Sequence, residues 1–292
     1  MVRYVYLILN YQTFQDTIRL VNELLPSLGL DRRLIIVDND SPNDSYQVLQ
    51  ATFGKVQWID VLKNTCNMGF AKGNNYGLRY AEKYAPEYVC IINNDVHFDN
   101  ALVDRLANKY YELPDAGVIS PIQLTPHGEK VNFENLDSES FKNIFLTYLL
   151  PWTYNRHNYY ENSSVAGVQS VFIIPGAFLF AEYKKLASLG FFYEGTFLYC
   201  EESFLGARVK NAGLNNYIIL EESYIHEHGK TINSVKSRRQ QQRMIFEGRL
   251  LFAKEVRKDN ALKICLLHFA FTIFQIVDSI KQAIKRTLKT NN

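Results

Sequence analysis

Cysteine is scarce and scattered: Cys66, Cys90, Cys200 and Cys265 form no C-x-x-C pair. That spacing excludes a ribbon-type zinc site and a disulfide framework, and isolated thiols suit a reducing compartment. The most glycine-rich stretch, residues 64–78 ("NTCNMGFAKGNNYGL"), is neither G-x-x-x-x-G-K-[ST] nor G-x-G-x-x-G. There is no internal repeat and no low-complexity tract. The opening "MVRYVYLILNYQ" is apolar too briefly for a signal peptide and lacks a small-residue cleavage site, so it reads as a first strand. The main apolar stretch of the tail, from Ile264 to Val277, is too short and too interrupted for the roughly 20 apolar residues that span a bilayer.

What is present describes a globular protein. The 292 residues are 47% apolar and 14% aromatic, enough for one large domain or two modest ones. The net charge of +2 hides an asymmetry: residues 230–292 hold 14 Lys and Arg against 4 acids, and residues 1–229 hold 18 against 26. A basic end on an acidic body points to an anionic surface, with a merely solvated helical face as the alternative.

The first half alternates. "RYVYLIL", "RLIIVD", "VQWIDVL", "EYVCII" and "AGVIS" read as strands. Helical spacing over 14–25, "SYQVLQATF", "NNYGLRYAEKYA" and a helix over about 99–111 lie between them. Continuous apolar strands in such alternation predict an α/β fold with a mostly parallel sheet covered on both faces. Ligands bind beyond the carboxyl ends of such strands, where Asn10, Asp38, Asn93, Asn94 and Asp95 fall. From about 125 to 167 the pattern loosens and predicts an insertion or a mobile loop over the site. Residues 233–258 and 261–289 read as two basic helices.

Each polar cluster also has a structural reading. Asp95 can cap a helix or serve a turn, Glu201 and Glu202 can be helix-start acids favoured by the dipole, and Asn39, Asp40 and Asn43 suit a turn. The glycines with Asn67 and Asn74 suit a backbone that approaches a ligand closely before a helix N-terminus, or an ordinary turn. Arg208 reads as a structural partner of an acid, and His97, His127 and His157 as surface residues.

Taken together, "ILNYQ", "IIVDNDS", "NMGFAKGNNYGL", "IINNDV", "PGAFLFAE" and "FLYCEESFLGARVKNAG" resemble glycosyltransferase family 2 over about residues 3–232, in particular its branch of rhamnosyltransferase-like enzymes of bacterial surface polysaccharides. The resemblance implies a GT-A fold, a nucleotide-sugar donor, a Mg²⁺ or Mn²⁺ ion and inversion at the anomeric carbon. "NND" stands at the family's Asp-x-Asp motif, which implies Asp95 as metal ligand with Asn93 and Asn94 beside the donor. Asp38 matches the nucleoside contact, with Asn10 in the first loop, and Asn67, Gly69, Lys72 and Asn74 fall in the donor loop. "CEES" stands at the Glu-Asp motif, so Glu202 takes the place of the general base, with Glu201 as the alternative. His226 aligns with a histidine near the metal or diphosphate, and His228, Lys230 and Thr231 are weaker phosphate candidates. Three departures stand out: amides precede Asp95, Glu replaces Asp at 202, and Phe204 occupies a position that is often a second acid.

The resemblance thus predicts residues 1–232 as the catalytic domain (1–120 binding the nucleotide sugar, 121–232 the acceptor) and 233–292 as a helical extension. The same reading expects the acceptor to be a growing, lipid-linked glycan, reached from the cytoplasm at the inner face of the plasma membrane. An inactive nucleotide-sugar-binding subunit is the second reading. Nucleic-acid binding is disfavoured, because the basic end lacks interleaved aromatics. Within 261–289, His268, Thr272, Gln275, Ser279 and Gln282 form one narrow polar stripe, and Lys281, Lys285, Arg286 and Lys289 follow. That pattern predicts an in-plane helix on an anionic membrane, with packing on the domain or a second subunit as the alternative.

Overall fold

The computed structural model describes residues 2–131, 139–151, 167–227 and 237–290, with side chains of the last helix described as far as Ile284. His157, His228, Lys230 and Thr231, and the side chains of Lys285, Arg286 and Lys289, lie outside the described residues.

Strands β1 (Tyr4–Asn10), β2 (Arg32–Asp38), β3 (Ile59–Lys63) and β4 (Tyr88–Asn93) alternate with helices α1 (Phe14–Leu24), α2 (Ser45–Phe53) and α3 (Gly69–Ala81). Their three pairings are all parallel, with Tyr4 opposite both Arg32 and Tyr88. There follow β5 (Val96–His97), α4 (Leu102–Tyr111), β6 (Ala116–Leu124), α5 (Phe141–Leu149), β7 (Val168–Val171), β8 (Phe178–Glu182), α6 (Tyr183–Ser188), α7 (Glu201–Asn211) and β9 (Asn215–His226). Two helices end the chain, α8 (Arg238–Glu255) and α9 (Ala261–Thr290). One sheet runs β3-β2-β1-β4-β8-β6-β9-β5, with β7 also on β9.

The α/β reading holds, with helices on both faces. Period-two alternation sends Tyr4, Tyr6 and Ile8 to a core shared with α1, α2 and α4, and Val5 and Leu7 to one shared with α3, α6 and α7. The parallel reading describes β3-β2-β1-β4. Beyond β4 the sheet is mixed, because β8 inserts antiparallel between β4 and β6, Tyr88 facing Glu182.

Two local expectations change. Helix α3 starts at Gly69, not after the glycine-rich loop. Its glycines are interior because the helix lies close on the sheet: a Cβ on Gly73 would meet Leu9 at 2.7 Å, and one on Gly77 would meet Leu7 at 2.3 Å. The expected loop over 125–167 contains α5, capped by the Ser140 hydroxyl accepting from the Asn143 N–H. Ile144 and Tyr148 of α5 pack against Phe246 and Leu250 of α8 and Leu267 and Phe271 of α9.

Helix α9 also differs from expectation. Over Ala261–Ile284 its mean hydropathy is 1.6, so by length and composition alone it is long and apolar enough to cross a membrane. It carries two apolar faces. One is docked on α5 and α8, and the other bears Leu262, Phe269, Ile276, Ile280 and Ile284, each more than half exposed.

Candidate active site

The carboxyl ends of β1, β2 and β4 are tied together by buried amides. Asn10 donates to Asp38 Oδ2 at 2.7 Å, and Thr17 on α1 donates to Asn10 Oδ1 at 2.8 Å. Asp38 is fully buried and also accepts from the Ser41 N–H at 2.9 Å and hydroxyl at 2.8 Å. Asn94 is turned toward α1, donating to Thr13 Oγ1 at 2.8 Å and Thr17 Oγ1 at 2.9 Å. Asn93 is half-buried at the end of β4, its N–H donating to the Ala177 carbonyl at 2.9 Å.

Asn39 does more than serve a turn. Its amide donates to Asn67 Oδ1 at 3.0 Å and accepts from Asn64 at 2.8 Å and from the Met68 N–H at 3.2 Å. The β2 end is thereby fastened to the entry of α3. There the Gly69 N–H donates to Asn67 Oδ1 and the Phe70 N–H to the Phe197 carbonyl, so both of these helix-entry donors are used internally. Gly69 has φ +79, and a Cβ there would meet the Phe197 carbonyl oxygen at 2.1 Å. Asn74 donates back to Phe70, and Lys72 is exposed on α3. Asp40 and Asn43 keep turn roles: Asp40 has φ 56 and Asn43 Oδ1 accepts from the Ser45 hydroxyl at 2.6 Å.

Asp95 follows in the two-residue turn between β4 and β5 and faces His226, their Oδ1 and Nε2 3.0 Å apart. The ladder of β5 on β9 fixes this, because Val96 lies opposite His226. Both side chains are 11% exposed, so the pair sits at the rim of the sheet rather than in its core. His97 is not a free surface residue. Its Nε2 lies 2.7 Å from Glu227 Oε1 and its Nδ1 2.9 Å from Arg19, whose guanidinium also donates to the carbonyls of Asn94 at 3.1 Å and Val96 at 3.0 Å. Arg19 therefore clamps the backbone that carries Asp95, a role invisible in the spacing because the partners lie on different elements. His127 is exposed, as expected.

Among the described residues no group of three or more His, Cys, Asp or Glu gathers as a metal cluster. Asp95 with His226 still fits a Mg²⁺ or Mn²⁺ ion, because hard cations commonly take one or two carboxylates and complete their shell with phosphate and water oxygens.

Glu201 and Glu202 open α7, after two consecutive left-handed residues, Tyr199 at φ 73 and Cys200 at φ 69. Such conformations cost on the order of 1–3 kcal/mol each in non-glycine residues and persist where surrounding contacts hold them. Burial, reinforced by the neighbouring Glu202 charge, raises the Glu201 carboxyl well above the usual range. Its Oε2 has no hydrogen-bond partner among the described residues. Burial also pushes Glu202 up to about 7, with the Glu139 carboxylate adding to the rise. Glu202 abuts Gly176, where a Cβ would meet its Oε1 at 2.1 Å. The next residue, Ala177, is the one that accepts from Asn93, two positions before Asp95. Gly176 and Ala177, on the approach to β8, thus join the α7 carboxylates to the β4 rim, a link between sequence-distant segments. Arg208 has a structural role with different partners, donating to the carbonyls of Leu189, Gly190 and Phe191.

The geometry is that of a nucleotide-type α/β sheet with polar groups at its parallel strand ends and a second acid pair brought beside them. Residues 7–183 match the model of glycosyl transferase family 2, more than half of the chain. The chain belongs to that family. Solved structures with the same fold include GalNAc-T7 with UDP, GalNAc and Mn²⁺, at 10% identity and TM-score 0.57, over 77% of this chain and 44% of that one. The mannosyltransferase PcManGT from Pyrobaculum calidifontis, with GDP-Man and Mn²⁺, is 14% identical at TM-score 0.57, covering 96% of this chain and 75% of that one. S. aureus TarS 1–349 with UDP-GlcNAc is 14% identical at TM-score 0.57, covering 91% and 70%. These likenesses show a shared GT-A fold. The chain spans less than half the length of the first of them. No curated protein sequence matches the chain.

Proposed function

We propose that the protein is an inverting glycosyltransferase that moves a sugar from a nucleotide-sugar donor to a growing, lipid-linked surface glycan. The observation that carries this reading is the convergence of Glu202, Gly176 and the Asn93–Asp95 turn at one rim of the sheet. Residues 1–232 form the catalytic domain and 233–292 its helical extension. Three similar folds were solved with UDP, GDP-Man or UDP-GlcNAc, and the donor is assigned to that class.

In a single displacement, the Glu202 carboxylate takes the proton from the acceptor hydroxyl while that oxygen attacks the anomeric carbon. The bond from that carbon to the diphosphate oxygen breaks, and configuration inverts. A carboxyl raised to about 7 is half ionised near neutral pH, which suits a base. Beside it, burial raises the Glu201 carboxyl well above its usual range, which disfavours a second negative charge in the pair. Asp95 with His226 would hold a Mg²⁺ or Mn²⁺ ion, which when bound would supply charge withdrawal from the leaving diphosphate. Asn10, Asp38 and Asn39 shape the donor loop, with Asn67, Gly69, Lys72, Asn74 and Asn93 along it. Asn94 aligns the backbone from behind through α1. Hexosyl or rhamnosyl transfer is the expected chemistry.

A thermal-shift panel of nucleoside diphosphates and nucleotide sugars, with and without Mn²⁺, tests the donor class. A ligand at about 100 times its Kd stabilises by about 2.7 kcal/mol, a rise of several degrees for a chain of this size. No shift with any member removes the donor reading, and a shift without turnover favours the inactive binding subunit.

The membrane assignment rests on α9. Its inner face, including Leu267, Ala270 and Phe271, is buried against α5 and α8, so a spanning position would strip that packing. An in-plane position keeps it and gives the outer stripe of Leu262, Phe269, Ile276, Ile280 and Ile284 to lipid. Basic residues near an anionic surface add about 1 kcal/mol each. The protein is expected to sediment with anionic vesicles and to be partly released by high salt. Deleting 261–292 would uncover Tyr148 and Phe246, so the cleaner variant is Phe269→Ser with Ile276→Ser and Ile280→Ser on the exposed stripe. Sedimentation unchanged in that variant removes the membrane assignment, and loss of a dimer instead assigns the stripe to a second copy.

A further inference from the structure

We infer that Arg249, on α8, is a positioning residue for the general base: through Glu139 and Ser203 it holds the first turn of α7 and balances the Glu139 charge beside that turn. The inference extends the assignment of Glu202 as base and brings a residue of the helical extension, α8, into its support.

Three observations meet here. The Ser203 hydroxyl, on the residue after Glu202, donates to Glu139 Oε1 at 3.1 Å, and Glu139 is only 6% exposed. Arg249 Nε lies 3.8 Å from Glu139 Oε2, its Nη1 donates to the Tyr148 hydroxyl at 3.1 Å, and its charge lies 5.4 Å from the centre of the Tyr148 ring. Helix α8 also lies against the strained entry of α7. A Cβ on Gly248 would meet Cys200 Sγ at 2.9 Å, the Cys200 thiol reaches the Ile245 carbonyl at 3.5 Å, and the Tyr199 hydroxyl reaches Gln241 at 3.3 Å.

A buried ion left without its partner is costly, so an acid in this position needs a cation. Glu139, Glu201 and Glu202 put three carboxyl groups around the start of α7, and burial penalises the negative charge on Glu201 and on Glu202. Among the described residues the charged and titratable groups facing the cluster are few. Tyr199, Cys200 and the glutamate pair come from α7 and its entry, Glu139 and Tyr148 from the α5 segment, and Arg249 from α8. Arg257 donates to the Glu139 carbonyl at 2.5 Å, but its remaining nitrogens are held by Asp259. That leaves Arg249 as the cation of the described cluster whose charge is not taken up by another acid. Among the described residues neither Nε of Arg249 nor Oε2 of Glu139 has a hydrogen-bond partner, so the two are matched by charge across 3.8 Å.

The sign follows. Removing the guanidinium leaves the Glu139 charge unbalanced, which opposes a second negative charge on Glu202 and raises its pKa. The acid limb of the kcat profile then moves to higher pH by about one unit. Removing the Glu139 charge as well relieves the opposition.

The test uses the full chain and four proteins: wild type, Arg249→Met, Glu139→Gln and the double variant, with thermal melting as a check on folding. The expected result is an acid limb moved up in Arg249→Met, moved down in Glu139→Gln, and returned to near the wild-type position in the double variant. Arg249→Lys, which keeps the charge, is expected to keep the limb and so covers the case in which Arg249→Met fails to fold. Titration of side-chain ¹³C-labelled glutamate, read against Glu202→Gln, follows the Glu202 carboxyl without reference to turnover. A shift there with no change in the rate profile upholds the coupling and removes Glu202 as base. A kcat loss with no movement of either titration, or one that the double variant does not restore, overturns the inference and leaves Arg249 as packing.

Discussion

Glu202→Gln is expected to lower turnover by about 10²–10⁴-fold, because the amide keeps the shape of the acid and cannot accept the acceptor's proton. The donor-induced thermal shift is expected to stay, since in the proposed mechanism Glu202 acts on the acceptor and not on the donor. Stability moves in the other direction. Burial lifts the Glu202 carboxyl from its usual 4.5 to about 7, so the folded state holds a proton that the unfolded chain has released. Stability linked to this group is present below about pH 4.5, falls as pH rises and is lost once pH passes about 7. The glutamine cannot ionise, so at pH 8 the variant is expected to melt higher than wild type, by as much as about 3 kcal/mol of relief, with no gain at pH 4. Gain of stability with loss of activity marks a strained functional acid. If Glu201→Gln shows the turnover loss instead, the base is one residue earlier. If both glutamines keep normal turnover, the pair is structural.

The parts of this architecture that were legible in the sequence are those that a local pattern encodes. "RYVYLIL", "RLIIVD" and "EYVCII" announce β1, β2 and β4 because both faces of each strand are buried, as Tyr6 and Leu7 are by opposite layers. The polar residues that end these strands mark the rim for the same reason: apolar burial stops where the sheet stops. What stayed hidden depends on contacts between distant segments. Nothing local in "AFLFAE" says that β8 runs antiparallel between β4 and β6. Glycines read as loop in 69–77 because the reason for them, the closeness of Leu7 and Leu9, lies on another element. The same holds for His97, which has no context until Arg19 and Glu227 are brought to it, and for Glu139, whose partners are Ser203 and Arg249. In the tail, the narrow polar stripe was readable, but which apolar face meets protein and which stays outside is settled only by the position of α5.

Asp95→Asn is expected to remove most turnover, roughly 10²–10³-fold, and with it the Mn²⁺-dependent part of the donor's thermal shift. The substitution preserves side-chain volume and still reaches His226, now 3.0 Å from Asp95 Oδ1, so the β5–β9 ladder keeps its register. What it removes is the negative charge at the turn. A metal-held leaving group is worth several kcal/mol of transition-state stabilisation, and each 1.36 kcal/mol is tenfold in rate. Ground-state effects follow from the same loss, because a hard divalent ion binds neutral amides less strongly than a carboxylate. The amides before Asp95 sharpen the expectation. Asn94 is already committed to Thr13 and Thr17 behind the turn, so it offers no replacement charge and no free movement toward the rim. His226→Ala separates the two roles the pair could have: a metal-side histidine lowers Mn²⁺ affinity more than donor affinity, whereas a histidine that only props Asp95 lowers both together. Turnover measured across a Mn²⁺ titration, with EDTA as the zero point, reads the outcome. Equal rates in EDTA and Mn²⁺ for the wild type, with Asp95→Asn unimpaired, would return Asp95 to the role of a turn residue.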